Sequence, residues 1–269
     1  MVVEFAVGFL TSSLALISDA GHMATDALGV GMALAAITLA TRKNSNPHRT
    51  FGLYRLEILA ALANAVLLFA VAGYVLFEAF NRFGEPPEIL AGPMLIAASL
   101  GLVVNVLCWW LLRDGARESV NVEGAALEVL ADLISSIGVV LAGVVIVTTG
   151  WTYADSIVAV LIGLFILPRA YRLGRKALRI LIQAAPEDVD MDTLMNGLRG
   201  IDGVGGVHDL HVWTLTSGMT VASAHLTTTG KANSDAVLAS ARDLLRDDHG
   251  VTHATLQVEG ADQDCELTW

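Results

Sequence analysis

The chain has 269 residues, of which 54% are hydrophobic and only 16% are charged. Soluble domains carry about a quarter charged residues, so this composition indicates a membrane-embedded protein. The net charge of −11 argues against nucleic acid as a partner, because phosphate binding requires clustered Lys and Arg.

Five long apolar runs follow one another along the first part of the chain. They cover residues 13–41, 56–80, 89–112, 122–149 and 152–168. About 20 helical residues cross a hydrocarbon core about 30 Å thick, so each run predicts a membrane-spanning helix. The opening run, Met1–Leu10, rises only about 15 Å as a helix. We therefore expect it to be the end of a sixth spanning helix whose beginning is missing.

The basic residues predict the orientation of these helices. Under this topology, eleven of the twelve Lys and Arg before Pro186 lie on one side, and only Arg82 lies on the other. The positive-inside rule makes the first side cytoplasmic. From Pro186 onward, the chain contains fourteen acidic residues and four basic ones. This acidic tail follows the last basic cluster and is therefore on the same side of the membrane. We predict a multi-pass protein of the cell membrane, with a transmembrane domain over 1–180 and a cytoplasmic domain over 186–269.

Ionisable residues inside two of the apolar runs indicate a metal site. His22 and Asp26 are four residues apart in one run, and Glu128 and Asp132 are four apart in another. Each pair therefore shares one face of its helix. A charged side chain at the bilayer centre costs about 2.5–3.5 kcal/mol on insertion scales. Imidazole nitrogen together with carboxylate oxygens suits tetrahedral Zn²⁺, so the four residues are predicted to bind a divalent metal.

A buried ion pair, or a polar seam between helices, is the alternative explanation of these four residues. Neither run contains a Lys or Arg that would neutralise the acids. Three neighbouring carboxylates repel one another unless they bind protons or metal. Competition between protons and a divalent cation for the same groups is what an exchanger requires.

Two further aspartates have open interpretations. Asp19, one turn before His22, either orients the imidazole or is a hydrogen-bonded residue near the start of its helix. Asp155 lies three residues after Thr152, which is typical of a capping pair at the start of its own helix.

The acidic tail has the pattern of a small folded domain. Two helices are predicted, at Met191–Leu198 and Ser234–Arg246. Three strands are predicted, at Gly206–Leu215, Met219–Thr227 and Val251–Glu259. The order helix, strand, strand, helix, strand is that of a small α+β sandwich.

Four segments resemble the cation diffusion facilitator family. Ser18–Asp26 resembles the signature of its second helix, and Arg49–Glu57 the loop and start of its third. Asn121–Asp132 resembles its fifth helix, and Val207–Trp213 its cytoplasmic domain. The resemblance implies six transmembrane helices, a homodimer in the lipid bilayer, and zinc export in exchange for protons. It also implies a ferredoxin-like, metallochaperone-like cytoplasmic domain that binds metal and helps the chain to dimerise.

The resemblance also implies roles for individual residues. It places His22, Asp26, Glu128 and Asp132 at the positions of the transport site. Zinc-transporting members typically carry His where this chain carries Glu128. A carboxylate still binds Zn²⁺, but an oxygen-rich set also suits manganese, iron or cobalt, so Zn²⁺ is the first expectation and other divalent metals stay open.

Five of the seven histidines lie in the acidic tail, which is typical of a metal-binding domain. The resemblance implies ligands at His208 and His225 and near the start of the last strand, where the family position aligns with Thr252 rather than His253. Alternation places His253 and Glu259 on the same polar face of that strand. We therefore expect His208, His225, His253 and Glu259 to provide the ligands of a cytoplasmic metal site.

The sequence favours a secondary active transporter over three alternatives. A membrane zinc metalloenzyme needs an open coordination position beside a general base, and the chain has no HExxH motif, so we do not expect an enzyme. A non-transporting sensor would bind metal through His208 and His225, and changes at Asp26 or Asp132 would not affect it. The flux of a channel would not depend on a proton gradient.

Overall fold

The computed structural model describes residues 1–42, 47–85, 87–115, 120–230 and 232–260. Contacts divide the chain into two compact units. The first contains Met1–Leu34 and Ala61–Gly174, and the second contains Ala35–Ala60 and the chain from Arg175 onward.

Six apolar helices form most of the chain before residue 182, within the described residues. They are α1 (Val2–Thr11), α2 (Leu14–Thr41), α3 (Arg55–Arg82), α4 (Ala91–Leu112), α5 (Val120–Thr149) and α6 (Tyr153–Leu181). Helices α2 to α6 are each long and apolar enough to cross a membrane, whereas α1 has ten residues. The predicted α-helical membrane bundle with a short first helix is confirmed.

The helices of the first unit pack through branched and small apolar side chains. Leu68 of α3, Met94 of α4, Val139 of α5 and Ile166 of α6 are at most 1% exposed and belong to one core. Many of their neighbours in this core are alanines, and small residues let membrane helices approach closely.

Helix α6 is longer than its apolar run. The run ends at residue 168, but the helix continues through Pro168 to Leu181. Proline is tolerated in membrane helices because neighbouring groups satisfy the carbonyl that it leaves unpaired. Arg169 therefore lies on a helix of the bundle and not in the loop that follows it.

Asp155 of α6 fixes the beginning of α2. Its buried carboxylate accepts hydrogen bonds from Ser13 Oγ at 2.6 Å and from the backbone N–H groups of Leu14 at 2.6 Å and Ala15 at 3.2 Å. The first turn of a helix leaves such N–H groups without an intrahelical partner. The carboxylate predicted to cap α6 thus caps α2 instead.

The cytoplasmic tail folds as a three-stranded α+β domain over residues 186–230 and 232–260. Its elements are α7 (Met191–Arg199), β1 (Val204–Thr216), β2 (Met219–Thr228), α8 (Ser234–Asp247) and β3 (His253–Glu259). The sheet order is β1-β2-β3, with β1 and β2 antiparallel and β2 and β3 parallel. The predicted succession of helices and strands is confirmed.

The two helices of this domain cover one face of the sheet. Leu194 and Leu198 of α7 and Val237 and Leu245 of α8 are fully or almost fully buried against Leu226 of β2. Because side chains alternate along a strand, His225 of β2 and Glu259 of β3 lie on the other face.

Candidate metal centres

Helices α2 and α5 bring three of the predicted transport ligands together. His22 Nε2 lies 3.7 Å from Asp26 Oδ2 and 3.6 Å from Asp132 Oδ1. One ligand atom from each residue lies within 4.8 Å of the other two. The side chains of His22, Asp26 and Asp132 are 3%, 18% and 16% exposed. We call this group the intramembrane triad.

The spacing of the intramembrane triad fits a metal ion better than it fits hydrogen bonds. N–H···O hydrogen bonds measure about 2.7–3.2 Å. Two ligands of a tetrahedral Zn²⁺ with bonds of about 2.0 Å lie about 3.3 Å apart. Among the described residues, His22 Nδ1, Asp26 Oδ1 and Asp132 Oδ1 are buried without a hydrogen-bond partner. Buried polar atoms without partners cost about 1–3 kcal/mol each, so this group is suited to bind a divalent cation.

Glu128, the fourth predicted ligand, is not brought to the intramembrane triad. Its Oε1 accepts a hydrogen bond from Arg169 Nη2 at 2.8 Å, and Arg169 Nη1 donates to Asp26 Oδ2 at 3.2 Å. The Glu128 side chain is 54% exposed. One guanidinium of α6 thus joins a carboxylate of α2 to a carboxylate of α5.

Sequence reasoning missed Arg169 because only the helices of the acids themselves were considered as sources of a neutralising charge. A signal for it exists. Four of the five basic residues between Pro168 and Leu181 are spaced three or four positions apart, at Arg169, Arg172, Lys176 and Arg179, and the fifth, Arg175, is next to Lys176. This spacing predicts that the helix continues beyond the proline.

Asp19 belongs to a second buried polar group beside the intramembrane triad. Its Oδ2 accepts a hydrogen bond from Ser136 Oγ at 3.3 Å, and Ser136 Oγ accepts one from Asn105 Nδ2 at 2.9 Å. All three residues are buried. These bonds favour Asp19 as a hydrogen-bonded residue near the start of α2 over a role in orienting His22.

The three strands of the cytoplasmic domain bring His208, His225 and Glu259 together. His208 and His225 are direct partners across β1 and β2, and Glu259 pairs with Thr227, two residues after His225 on β2. His225 Nδ1 lies 3.0 Å from Glu259 Oε1, and His208 Nε2 lies 3.3 Å from Glu259 Oε2. Glu259 is 4% exposed. We call this group the cytoplasmic triad, and its nitrogen and carboxylate donors are those that Zn²⁺ prefers.

Asp209 adds a carboxylate at the edge of the cytoplasmic triad. It lies in the register shift of β1 between His208 and His211, and its φ of 48° is in the left-handed region. A bulge of this kind changes the direction of a side chain, and Asp209 Oδ2 lies 3.9 Å from His225 Nδ1. The sequence signal is a polar residue that interrupts the alternation of β1.

His253, by contrast, is not brought to the cytoplasmic triad. It pairs with Val221 at the beginning of β3. Its ring meets Phe51 edge-on, with 6.4 Å between the ring centroids.

Two family models match the chain. The model described as "Cation efflux transmembrane domain" matches residues 1–182. The model described as "Cation efflux protein, cytoplasmic domain" matches residues 186–261.

Several curated proteins are similar over almost the whole chain. The metal cation efflux system protein CzcD of Cupriavidus metallidurans is 44% identical over 260 residues, which are 96% of this chain and 82% of that protein. The zinc transporter ZitB of Escherichia coli is 39% identical over 261 residues, 96% of this chain and 83% of that protein. The cadmium, cobalt and zinc/H⁺-K⁺ antiporter of Bacillus subtilis is 36% identical over 267 residues, 96% of this chain and 84% of that protein.

Solved structures also match part of the chain. One of them is the metal-bound C-terminal domain of the CzcD transporter of C. metallidurans, which is 33% identical, with a TM-score of 0.26. The match covers 26% of this chain and 99% of that one.

Proposed function

Since the chain belongs to the cation efflux family of membrane transporters, also called cation diffusion facilitators, we propose that it exports Zn²⁺ from the cytoplasm in exchange for protons. The chain is a multi-pass membrane protein for divalent metal efflux, and its cytoplasmic domain is the dimerisation domain of the family. Family membership favours transport over the sensor and metalloenzyme alternatives. Transport requires no catalytic residue, and we assign none.

The observation that carries this proposal is the intramembrane triad, a buried group of one imidazole and two carboxylates on membrane helices. Names of relatives support Zn²⁺ as the main substrate, since one is called a zinc transporter and another an antiporter of cadmium, cobalt and zinc. Imidazole with carboxylates suits Zn²⁺, and it also accommodates cobalt and manganese.

Proton exchange follows from the chemistry of the intramembrane triad. Metal binds a neutral imidazole and ionised carboxylates, so its arrival releases any protons held by His22, Asp26 and Asp132. Protons that arrive from the other side of the membrane compete for the same atoms and favour release of the metal. A change in access around a fixed site near the middle of the membrane then completes the exchange.

Glu128 is proposed as the fourth ligand of the transport site. Its carboxylate lies one helical turn before Asp132 on α5, so both side chains share a face of that helix. Its Oε1 accepts a hydrogen bond from Arg169, so metal binding through this oxygen requires the guanidinium to move away.

The cytoplasmic triad is proposed as a second metal site. His208 and His225 supply imidazole nitrogens and Glu259 supplies carboxylate oxygens. Asp209 lies close enough to His225 to contribute after a small rotation of its side chain, whereas His253 lies apart from the group.

The test is zinc uptake into proteoliposomes that carry an acidic interior and a zinc indicator. Wild-type protein with its cytoplasmic face outward should take up Zn²⁺ only while the pH gradient lasts. Asp132→Asn should reduce this flux at least tenfold, since it removes a charged ligand. Asp114→Asn is the matched control, because Asp114 is 79% exposed and lies outside the intramembrane triad.

The alternatives give different results in the same assay. Uptake that continues without a gradient would identify a channel. Bound zinc without any flux, in folded protein of both forms, would contradict transport and identify a sensor.

A further inference from the structure

Arg169 lies at the cytoplasmic side of the transport site. Helix α2 runs toward the cytoplasm, so Asp26 is one turn closer to it than His22. Helix α5 runs away from the cytoplasm, so Glu128 is one turn closer to it than Asp132. The guanidinium of Arg169 bonds to Asp26 and Glu128, the two acids on the cytoplasmic side.

Resting on the proposed function, we propose that Arg169 is a tethered cation that competes with the transported metal for Asp26 and Glu128. The metal binds as the guanidinium leaves these carboxylates, and the return of the guanidinium promotes release of the metal. Arg169 thereby sets the balance between affinity and turnover.

The competition is for the same atoms. Asp26 Oδ2 accepts the hydrogen bond from Arg169 Nη1 at 3.2 Å, and this oxygen also lies 3.7 Å from His22 Nε2 within the intramembrane triad. An oxygen that binds a divalent cation at about 2 Å brings that cation close to any guanidinium on the same oxygen. Because an arginine side chain is a permanent cation, the guanidinium and the metal ion repel each other. Binding of one at this oxygen therefore disfavours binding of the other.

A purely structural role fits these observations less well. Among the described residues, the hydrogen-bond partners of Arg169 are Asp26 and Glu128, both of them proposed ligands. The Arg169 side chain is 30% exposed and that of Glu128 is 54% exposed, so the contact is not locked in a dry core. Neither carboxylate is buried against other protein groups on all sides, so the guanidinium can move away from them without disrupting the packed core of the bundle.

The first experiment measures zinc uptake by the full chain in proteoliposomes at fixed pH, with zinc as the only added metal. Arg169→Gln removes the competing charge, so the half-saturating zinc concentration should fall about tenfold, equivalent to about 1.4 kcal/mol. The maximal rate should fall as well, because bound metal leaves more slowly. Arg169→Lys keeps the charge but loses the forked geometry, so its half-saturating concentration should lie between those of the wild type and Arg169→Gln.

Two further variants test the cause of this effect. Arg172→Gln removes an exposed positive charge three residues further along α6, and it should leave the half-saturating concentration unchanged. In a Glu128→Gln background, Arg169→Gln should lower the half-saturating zinc concentration less than it does in the wild-type chain. One of the two carboxylates that bind both Arg169 and the metal is already absent there.

The inference is overturned by a half-saturating concentration that stays constant or rises in Arg169→Gln while the maximal rate falls, since that result indicates a structural role. If Arg169→Gln does not fold, the half-saturating zinc concentrations of Arg169→Lys and the wild type are compared instead. A value for Arg169→Lys that equals or exceeds that of the wild type overturns the inference. Asp132→Asn is measured in parallel. Gradient-driven flux that survives in Asp132→Asn contradicts the proposed function itself.

Discussion

Replacing Asp155 by Ala should destabilise the membrane unit strongly, because this one carboxylate serves three donors at the start of α2. Ser13 Oγ and the backbone N–H groups of Leu14 and Ala15 bond to it at 2.6, 2.6 and 3.2 Å. A buried donor left unpaired costs about 1–3 kcal/mol. Partial rescue by neighbouring groups leaves a loss of about 2–4 kcal/mol for the three together.

The assay is thermal unfolding of the purified protein in lipid nanodiscs at a fixed scan rate, because membrane proteins often unfold irreversibly. A loss of 2–4 kcal/mol corresponds to a decrease of roughly 4–16 °C for a unit of this size. Asp155→Asn keeps one oxygen acceptor, so its decrease should be about half as large. Asp114→Asn, at an exposed position, controls for loss of charge. Melting temperatures of Asp155→Ala and Asp114→Asn that agree within about 1 °C of each other would refute the reasoning, because a loss of about 2–4 kcal/mol predicts a larger difference.

Three further predictions concern metal binding and the cytoplasmic domain. His225→Ala should weaken zinc binding by the cytoplasmic triad at least tenfold in calorimetry of the full chain, whereas His253→Ala should leave it unchanged. Equal losses of zinc affinity in the two variants would contradict the assignment. Glu128→His should raise the preference for zinc over manganese about tenfold in competition uptake, because imidazole suits zinc and carboxylate suits manganese. Hydrogen bonds from the Thr193 hydroxyl and from the backbone of Thr193 and Asp192 lower the pKa of Asp190 below its usual 3.8. A lowered pKa means that the stabilising effect is full above that usual value and is lost as the pH falls through the lowered pKa. The melting temperature of the wild type should therefore exceed that of Asp190→Ala at pH 7, and the difference should become smaller as the pH falls below the lowered pKa.

Helical periodicity explains how much of the intramembrane site could be predicted from sequence. Two residues four apart share a helix face, so periodicity predicts that each of α2 and α5 carries its pair on one side. The structure brings His22, Asp26 and Asp132 together. The partner of Glu128 comes from α6, and contacts with a third helix depend on how that helix is rotated and on whether it continues through Pro168. Neither property follows from the spacing of the acids.

Strand alternation has a similar limit in the cytoplasmic domain. It places His253 and Glu259 on one face of β3, but six residues of strand span about 20 Å. Only one of the two can therefore lie beside His225. The register of β3 against β2 selects Glu259, which pairs with Thr227, while His253 pairs with Val221. Register depends on how α8, which connects β2 to β3 along the chain, packs on the sheet, and the pattern of one strand does not specify it.

The most direct test of the central claim is the zinc K-edge X-ray absorption spectrum of the full chain in lipid. His208→Ala and His225→Ala are introduced first to remove the imidazoles of the cytoplasmic triad. We predict bound zinc with a single imidazole and otherwise oxygen ligands at about 2.0 Å, and loss of this zinc in Asp132→Asn. A spectrum without an imidazole, or one that Asp132→Asn leaves unchanged, would contradict metal binding by His22, Asp26 and Asp132.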